Sequence, residues 1–325
     1  MLWYRDFSTF GEIVLSFRLK RAKFLKLPEY RPANWTSHMM APAPLPLLDS
    51  NFVDVFVGGW DLKGISLIYS VQVNLNLLEL VPKTAALRLD KGAPGNFDEN
   101  GVFPGSIILS GEEWFLSYTG FQLGHKIPHY NFAGLAVPGL TALPLSRLSD
   151  APILDRADEG LTVRAGLSAI KISRESGRHW LSAYAAGSTF EMINGKLRPN
   201  YCVFTQFNSP FELEKFGQLK VSYKSDEHGI GRPYLIQYGQ SILLFYTRRC
   251  RNFKYLPGVA ISEDGGKNFI RRDELLENVT KRIIGIDDEM QYFPAPYIMN
   301  NLLYVFYNGN NFGQFGMGVW EFQLG

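Results

Sequence analysis

Five repeats of one supersecondary unit, opened by polar residues at positions 38, 99, 164, 227 and 289, predict an all-β chain folded as a five-bladed β-propeller. The steps between those positions are 61, 65, 63 and 62 residues, too regular for unrelated loops. Within each unit, short runs of β-branched and aromatic residues alternate with Gly, Pro and Asn turn formers, which is strand-and-turn chemistry. With 325 residues, 46% of them hydrophobic and 14% aromatic, the chain has enough apolar material for one sizeable core. Residues 1–34 read as an N-terminal extension and 35–325 as a single propeller domain.

Taken in order, the extension carries Pro28, Pro32 and the extended run EYRPANW. Phe10–Leu27 has the makings of an amphipathic helix, although Gly11 and five clustered basic residues weaken it. An early strand, Glu12–Phe17, is the alternative; it would complete the last blade, because an unpaired sheet edge is a liability. The first 27 residues carry charge throughout and no apolar run of signal-peptide or membrane-spanning length, so a soluble, cytoplasmic protein with no membrane span is expected. A formal net charge of +2 gives no reason to expect a nucleic acid partner. Two cysteines, Cys202 and Cys250, exclude a disulfide framework; no metal site and no cofactor motif stands out.

The first unit is MMAPAPLPL, NFVDVFVGGW and GISLIYSVQV, with His38 at its head and Trp60-Asp61 closing its second strand. The second is NGVFPGSIIL, EWFLSYTGF and NFAGLAV, headed by Asp98-Glu99 and interrupted after Tyr118 by GFQLGHKIPHYN. His125 and His129 in that insertion have i, i+4 spacing, but Gly124 and Pro128 argue against the helix a metal pair would need, leaving loop residues that border a site. Arg164 heads the third unit, where a rigid fork of donors suits carboxylates and hydroxyls. The fourth has Glu227 and Arg232 ahead of one strand and Arg248 after the next, then SEDGGKNF, a turn motif whose job is structural. The fifth, DDEMQYFPAPYIMNNLLYVFYNGNNFGQFGMG, opens on Asp287, Asp288 and Glu289, alternate members of which face opposite sides of an extended segment. Equivalent positions in radially repeated units lie at equal radius, so the residues heading the units are expected to converge on one central pocket.

This periodicity, from Trp35 to Leu324, resembles the five-bladed propeller superfamily of glycoside hydrolases, which includes family 43, invertases and mannoside phosphorylases. More narrowly, FDENGVFPGSII, GRPYLIQY, SEDGGKNF and LLYVFYNGNNFG resemble a branch associated with polysaccharide biosynthesis. The resemblance implies a carbohydrate ligand and three acids on the first strands of successive blades. Here His38 and Arg164 occupy two of those slots, so the usual base and acid are both missing there. The carboxylates that remain as catalytic candidates are Asp98, Glu99, Glu227 and Glu289, with His38, Trp60, Asp61, Tyr118, Arg164, Arg232, Arg248 and Asp288 as candidate substrate-binding residues. Aromatic Trp60, Tyr118, Tyr130 and Phe312 would stack on sugar faces. Two readings follow: a glycosidase-like enzyme acting by hydrolysis or glycosyl transfer, or a catalytically silent sugar-binding propeller.

Overall fold

A computed structural model describes residues 15–45, 50–139, 144–174, 177–277 and 282–325, and these are almost entirely β. Strand β1 (Phe17–Lys26) is followed by five antiparallel meanders. The first contains β2 (Ser37–Leu45), β3 (Phe52–Trp60) and β4 (Ser66–Asn74), with short β5 (Glu79–Leu80) and β6 (Ala86–Leu89) on β4. The second contains β7 (Val102–Ser110), β8 (Glu113–Leu123), β9 (His129–Pro138) and β10 (Leu145–Arg147). The third is β11 (Val163–Arg174), β12 (Gly177–Ile193), β13 (Lys196–Gln206) and β14 (Gln218–Val221). The fourth is β15 (Glu227–Tyr238), β16 (Ser241–Cys250), β17 (Tyr255–Ser262) and β18 (Ile270–Arg271), and the fifth β19 (Tyr292–Met299), β20 (Leu302–Asn308) and β21 (Gly316–Leu324). A two-residue parallel bridge between β9 and β11 joins the second and third meanders, giving four hydrogen-bonded sheets.

The first strands meet in cyclic order: β2 lies against β7, β7 against β11, β11 against β15, β15 against β19 and β19 against β2. Apolar side chains fill the wedges between meanders. Phe56, Ile68, Val102, Ile107 and Leu116 join the first to the second, and Ile172, Leu181, Leu235 and Leu244 join the third to the fourth. Strand β1 pairs antiparallel with β21 from Phe17↔Leu324 to Lys26↔Gly316, supplying the last meander with its outer strand. Phe17 and Leu25 are buried there while most of the basic residues face solvent, so the segment is a strand and not the helix its amphipathic pattern suggested. The expected strand Glu12–Phe17 lies largely outside the described residues. Among the described residues no helix is long and apolar enough to cross a membrane.

Every first strand breaks register at one equivalent point. The shifts fall between Met40 and Ala43, Pro104 and Ile107, Ala165 and Ser168, Gly231 and Tyr234, and Tyr292 and Ala295. Such bulges turn a strand and release its carbonyls from the ladder. Proline, excluded from a regular central strand, sits in three of them as Pro42, Pro233 and Pro294. Ala41, Arg232 and Phe293 accept left-handed φ values of 53°, 44° and 57°, a conformation costly for residues with a Cβ and held here by surrounding contacts. Neighbouring meanders supply some of those contacts: Thr119 accepts from the Gly166 amide, Thr247 from Phe293 and Asn308 from Ala41.

The SEDGGKNF turn is built as its composition implies. Asp264 Oδ1 accepts the amides of Lys267 (3.0 Å) and Asn268 (2.9 Å) and the Ser262 hydroxyl (2.8 Å), while Gly265 and Gly266 take φ of 69° and 82°. Phe269 packs against the core cluster of the third and fourth meanders.

Candidate functional site

A cavity of about 480 Å³ opens among the starts of the first strands. Its base is the ring of bulges, held by one side chain. Arg232 is 3% exposed and donates from Nε to Pro104 O (3.2 Å), from Nη1 to Phe293 O (3.0 Å), and from Nη2 to the carbonyls of Ala41 (3.2 Å), Pro42 (2.6 Å) and Gly105. Carbonyls freed by three bulges therefore converge on one guanidinium. Burial pulls its pKa down to about 9, which leaves it charged at neutral pH.

Aromatic lining comes from Trp60, Phe103, Phe121, Tyr292, Phe293 and Phe312. Cationic and polar lining comes from Arg198, Tyr201, Arg249, His129 and Asn131. Arg249 is 5% exposed and makes two long contacts, Nη1 to Pro199 O and Nη2 to Tyr255 OH, both 3.3 Å, with the Tyr201 ring 4.9 Å from its guanidinium. Among the described residues its Nε has no hydrogen-bond partner, and neither does Asn131 Oδ1 or the Trp60 indole Nε1. Burial first, then the charges of Arg249 and Arg198, lowers the His129 pKa to about 4, so this imidazole is neutral at pH 7. Among the described residues no Asp or Glu lines the cavity, and no group of three or more His, Cys, Asp or Glu is placed to hold a metal.

Of the twelve expected site residues, Trp60 and Arg232 line this cavity; the other ten are not among its lining residues. His38 stacks on Trp60, ring centroids 3.7 Å apart, with Ser37 Oγ 2.8 Å from its Nδ1 and burial lowering its pKa to about 4. The four carboxylates have separate surroundings. Asp98 is fully buried against Arg147 Nε (2.8 Å), beside the equally buried Tyr118. Glu99 caps the Gly95 amide at 2.8 Å, and Glu289 is exposed. Glu227 is fully buried between Arg248 (2.6 Å) and Arg271 (2.7 Å); against the burial that would raise its pKa, Arg271, the Lys224 amide and Arg248 hold it at about 2. Arg164 pairs with Glu159 at 3.2 Å, Asp61 accepts the amides of Lys63 and Ile65, and Asp288 accepts from the Gly285 amide and Asn310. Tyr130 packs under the Arg156 guanidinium.

The residues that face the cavity mostly lie a few positions from those expected. Arg249 faces inward where its neighbour Arg248 points to Glu227, because successive strand residues alternate sides. Thr119 lines the cavity where Tyr118 fills the core, and Asn100 where Asp98 and Glu99 do not. Arg198 and Tyr201 come from the start of β13, a third strand, and the only sequence signal for them was the basic-aromatic run KLRPNY.

No protein-family model matches the chain. Two uncharacterized proteins from strains of Mycobacterium tuberculosis are each 26% identical over 303 residues, covering 88% of this chain and 93% of theirs. Among solved structures, a glycoside hydrolase superposes with a TM-score of 0.64 at 15% identity, covering 94% of this chain and 92% of its own. A thermostable family-43 glycoside hydrolase gives 0.59 at 15% identity over 90% of each chain. A structure from the GH130 family of mannoside phosphorylases, described as containing hydrolases of β-1,2 mannosidic linkages, gives 0.61 at 13% identity over 96% and 95%. Identities this low speak for architecture alone: the chain has the fold of these glycoside hydrolases.

Proposed function

We propose that the five meanders are the blades of one five-bladed propeller, with β1 completing the last, and that its central cavity binds a carbohydrate without cleaving it through paired carboxylates. The cyclic order of the first strands supports the blade count. The binding reading is carried by one observation: the cavity's walls are aromatic and cationic, with no carboxylate among the described lining residues. Glycoside hydrolysis ordinarily takes two carboxyl groups flanking the scissile bond, separated by about 5 to 9.5 Å. Asp98 and Glu227, which have the burial of site residues, are consumed by ion pairs with Arg147, Arg248 and Arg271. What the cavity offers instead is flat apolar surface with a few convergent polar groups, the make-up of a ligand site.

Calorimetry against a panel of mono- and oligosaccharides, run beside an aryl-glycoside turnover assay, tests this. Binding with no turnover is expected, and Trp60→Ala should weaken binding at least tenfold, about 1.4 kcal/mol. Wild-type turnover that collapses in Glu99→Gln or Glu289→Gln would restore the enzymic reading.

A further inference from the structure

The cavity wall made by Arg249 and Arg198 is electrostatically incomplete. Arg249 is 5% exposed, yet among the described residues no carboxylate pairs with it, and the same holds for Arg198. A guanidinium has five N–H donors; those of Arg249 meet only neutral acceptors, Pro199 O and Tyr255 OH at 3.3 Å and the Tyr201 side chain, and among the described residues Nε finds none. A buried charge left unpaired is costly, and several other arginines of the described residues are paired. Arg248 and Arg271 share Glu227, Arg164 has Glu159, and Arg147 has Asp98. Arg232 differs in kind, because bulge carbonyls satisfy it. The neutral state of His129, imposed partly by Arg249 and Arg198, is a second sign of uncompensated positive potential in the same wall. Tyr201 and Asn131 stand beside it as neutral hydrogen-bonding groups.

We propose that the bound carbohydrate carries an anionic group, a carboxylate or a phosphate, which seats on Arg249 and Arg198 while the sugar lies against the aromatic lining. This rests on the carbohydrate-binding reading above and names its ligand class. A planar fork of donors matches either oxyanion in two-point contact, and exclusion of water strengthens the contact.

The test is calorimetry on the full chain with glucuronate, glucose 6-phosphate, glucose, acetate and inorganic phosphate. At least tenfold tighter binding of glucuronate or glucose 6-phosphate than of glucose is expected, and whichever acid is preferred identifies the group. The preference should shrink in high salt. Arg198→Gln, at a half-buried position, should abolish it while the melting temperature stays within a degree or two of the parent; Arg249→Gln should do the same, with circular dichroism to confirm folding. Glucose bound as tightly as its acids, or a preference that survives Arg198→Gln, overturns the inference and leaves carbohydrate binding intact. Acetate or inorganic phosphate bound as tightly as the sugar acids would uphold the anion site and defeat the carbohydrate reading instead.

Discussion

Arg232→Met should cost this fold about 4 kcal/mol, because one guanidinium donates to carbonyls of three bulges. The magnitude follows from the geometry. Nε and Nη1 make one bond each, and Nη2, with two hydrogens, faces three acceptors, so four good bonds are available. Hydrogen bonds to a charged group contribute about 1.5–3 kcal/mol each, or roughly 6–12 together. Against this stands the cost of burying the charge. Burial takes the pKa from 12.5 to about 9, which at about 1.4 kcal/mol per unit is on the order of 5 kcal/mol. The balance is about 1–7 kcal/mol, centred near 4, a large share of the 5–15 kcal/mol typical of a whole domain. Methionine keeps an unbranched apolar stem but ends short of the guanidinium and leaves the carbonyls unsatisfied in a buried site. Urea unfolding followed by tryptophan fluorescence measures the loss as a shift in midpoint at constant slope. A variant that unfolds at the parental midpoint and loses carbohydrate binding would make Arg232 a ligand residue, and the bulge contacts incidental.

Asp264→Ala removes an acceptor of two amides and a hydroxyl from a tight turn and should lower stability by about 1–2 kcal/mol with ligand affinity unchanged, as thermal melts paired with calorimetry would show. Acid should destabilise the protein well before its carboxylates titrate. His38, His129 and His228 are held near pKa 4 chiefly by burial, whereas an unfolded chain takes up those protons near 6.5, so stability is full above 6.5 and falls as pH drops from 6.5 towards 4. His228→Gln should flatten that slope, and a melting temperature constant from pH 7 to pH 4 would contradict the assignment.

The repeat was legible because each meander must bury the same faces against its neighbours, so apolar runs and turn residues recur at nearly fixed intervals. The SEDGGKNF turn was legible for a local reason, since Ser, Asp and two glycines at those offsets can close only a few backbone shapes. The role of β1 as the outer strand of the last meander was harder to read. The alternation of FRLKRAKFLK is broken by a register shift between Leu19 and Arg21, and its partner lies some 300 residues away. Nothing in the local pattern separates such an edge strand from a basic amphipathic helix.

The site was obscured by phase. Charged residues at the heads of the units do recur at equal intervals, but equal interval fixes a common radius and not a common direction. Next to the bulges, Met40, Phe103, Ala165, Arg232 and Phe293 line the cavity, while the heading residues, one to five positions earlier, do not. This also explains how a chain with 33 basic and 31 acidic residues holds a strongly cationic cavity. Asp98, Glu159 and Glu227 are each bound to arginines one layer outward. The nearly balanced composition thus hides a radial separation of charge, with ion pairs in the layer behind the wall and guanidinia in the wall itself. Where Arg232 is closed off by backbone carbonyls, Arg249 and Arg198 have aromatic and neutral neighbours but, among the described residues, no carboxylate, and a ligand that supplies the missing anion would gain from a cost the fold has already borne.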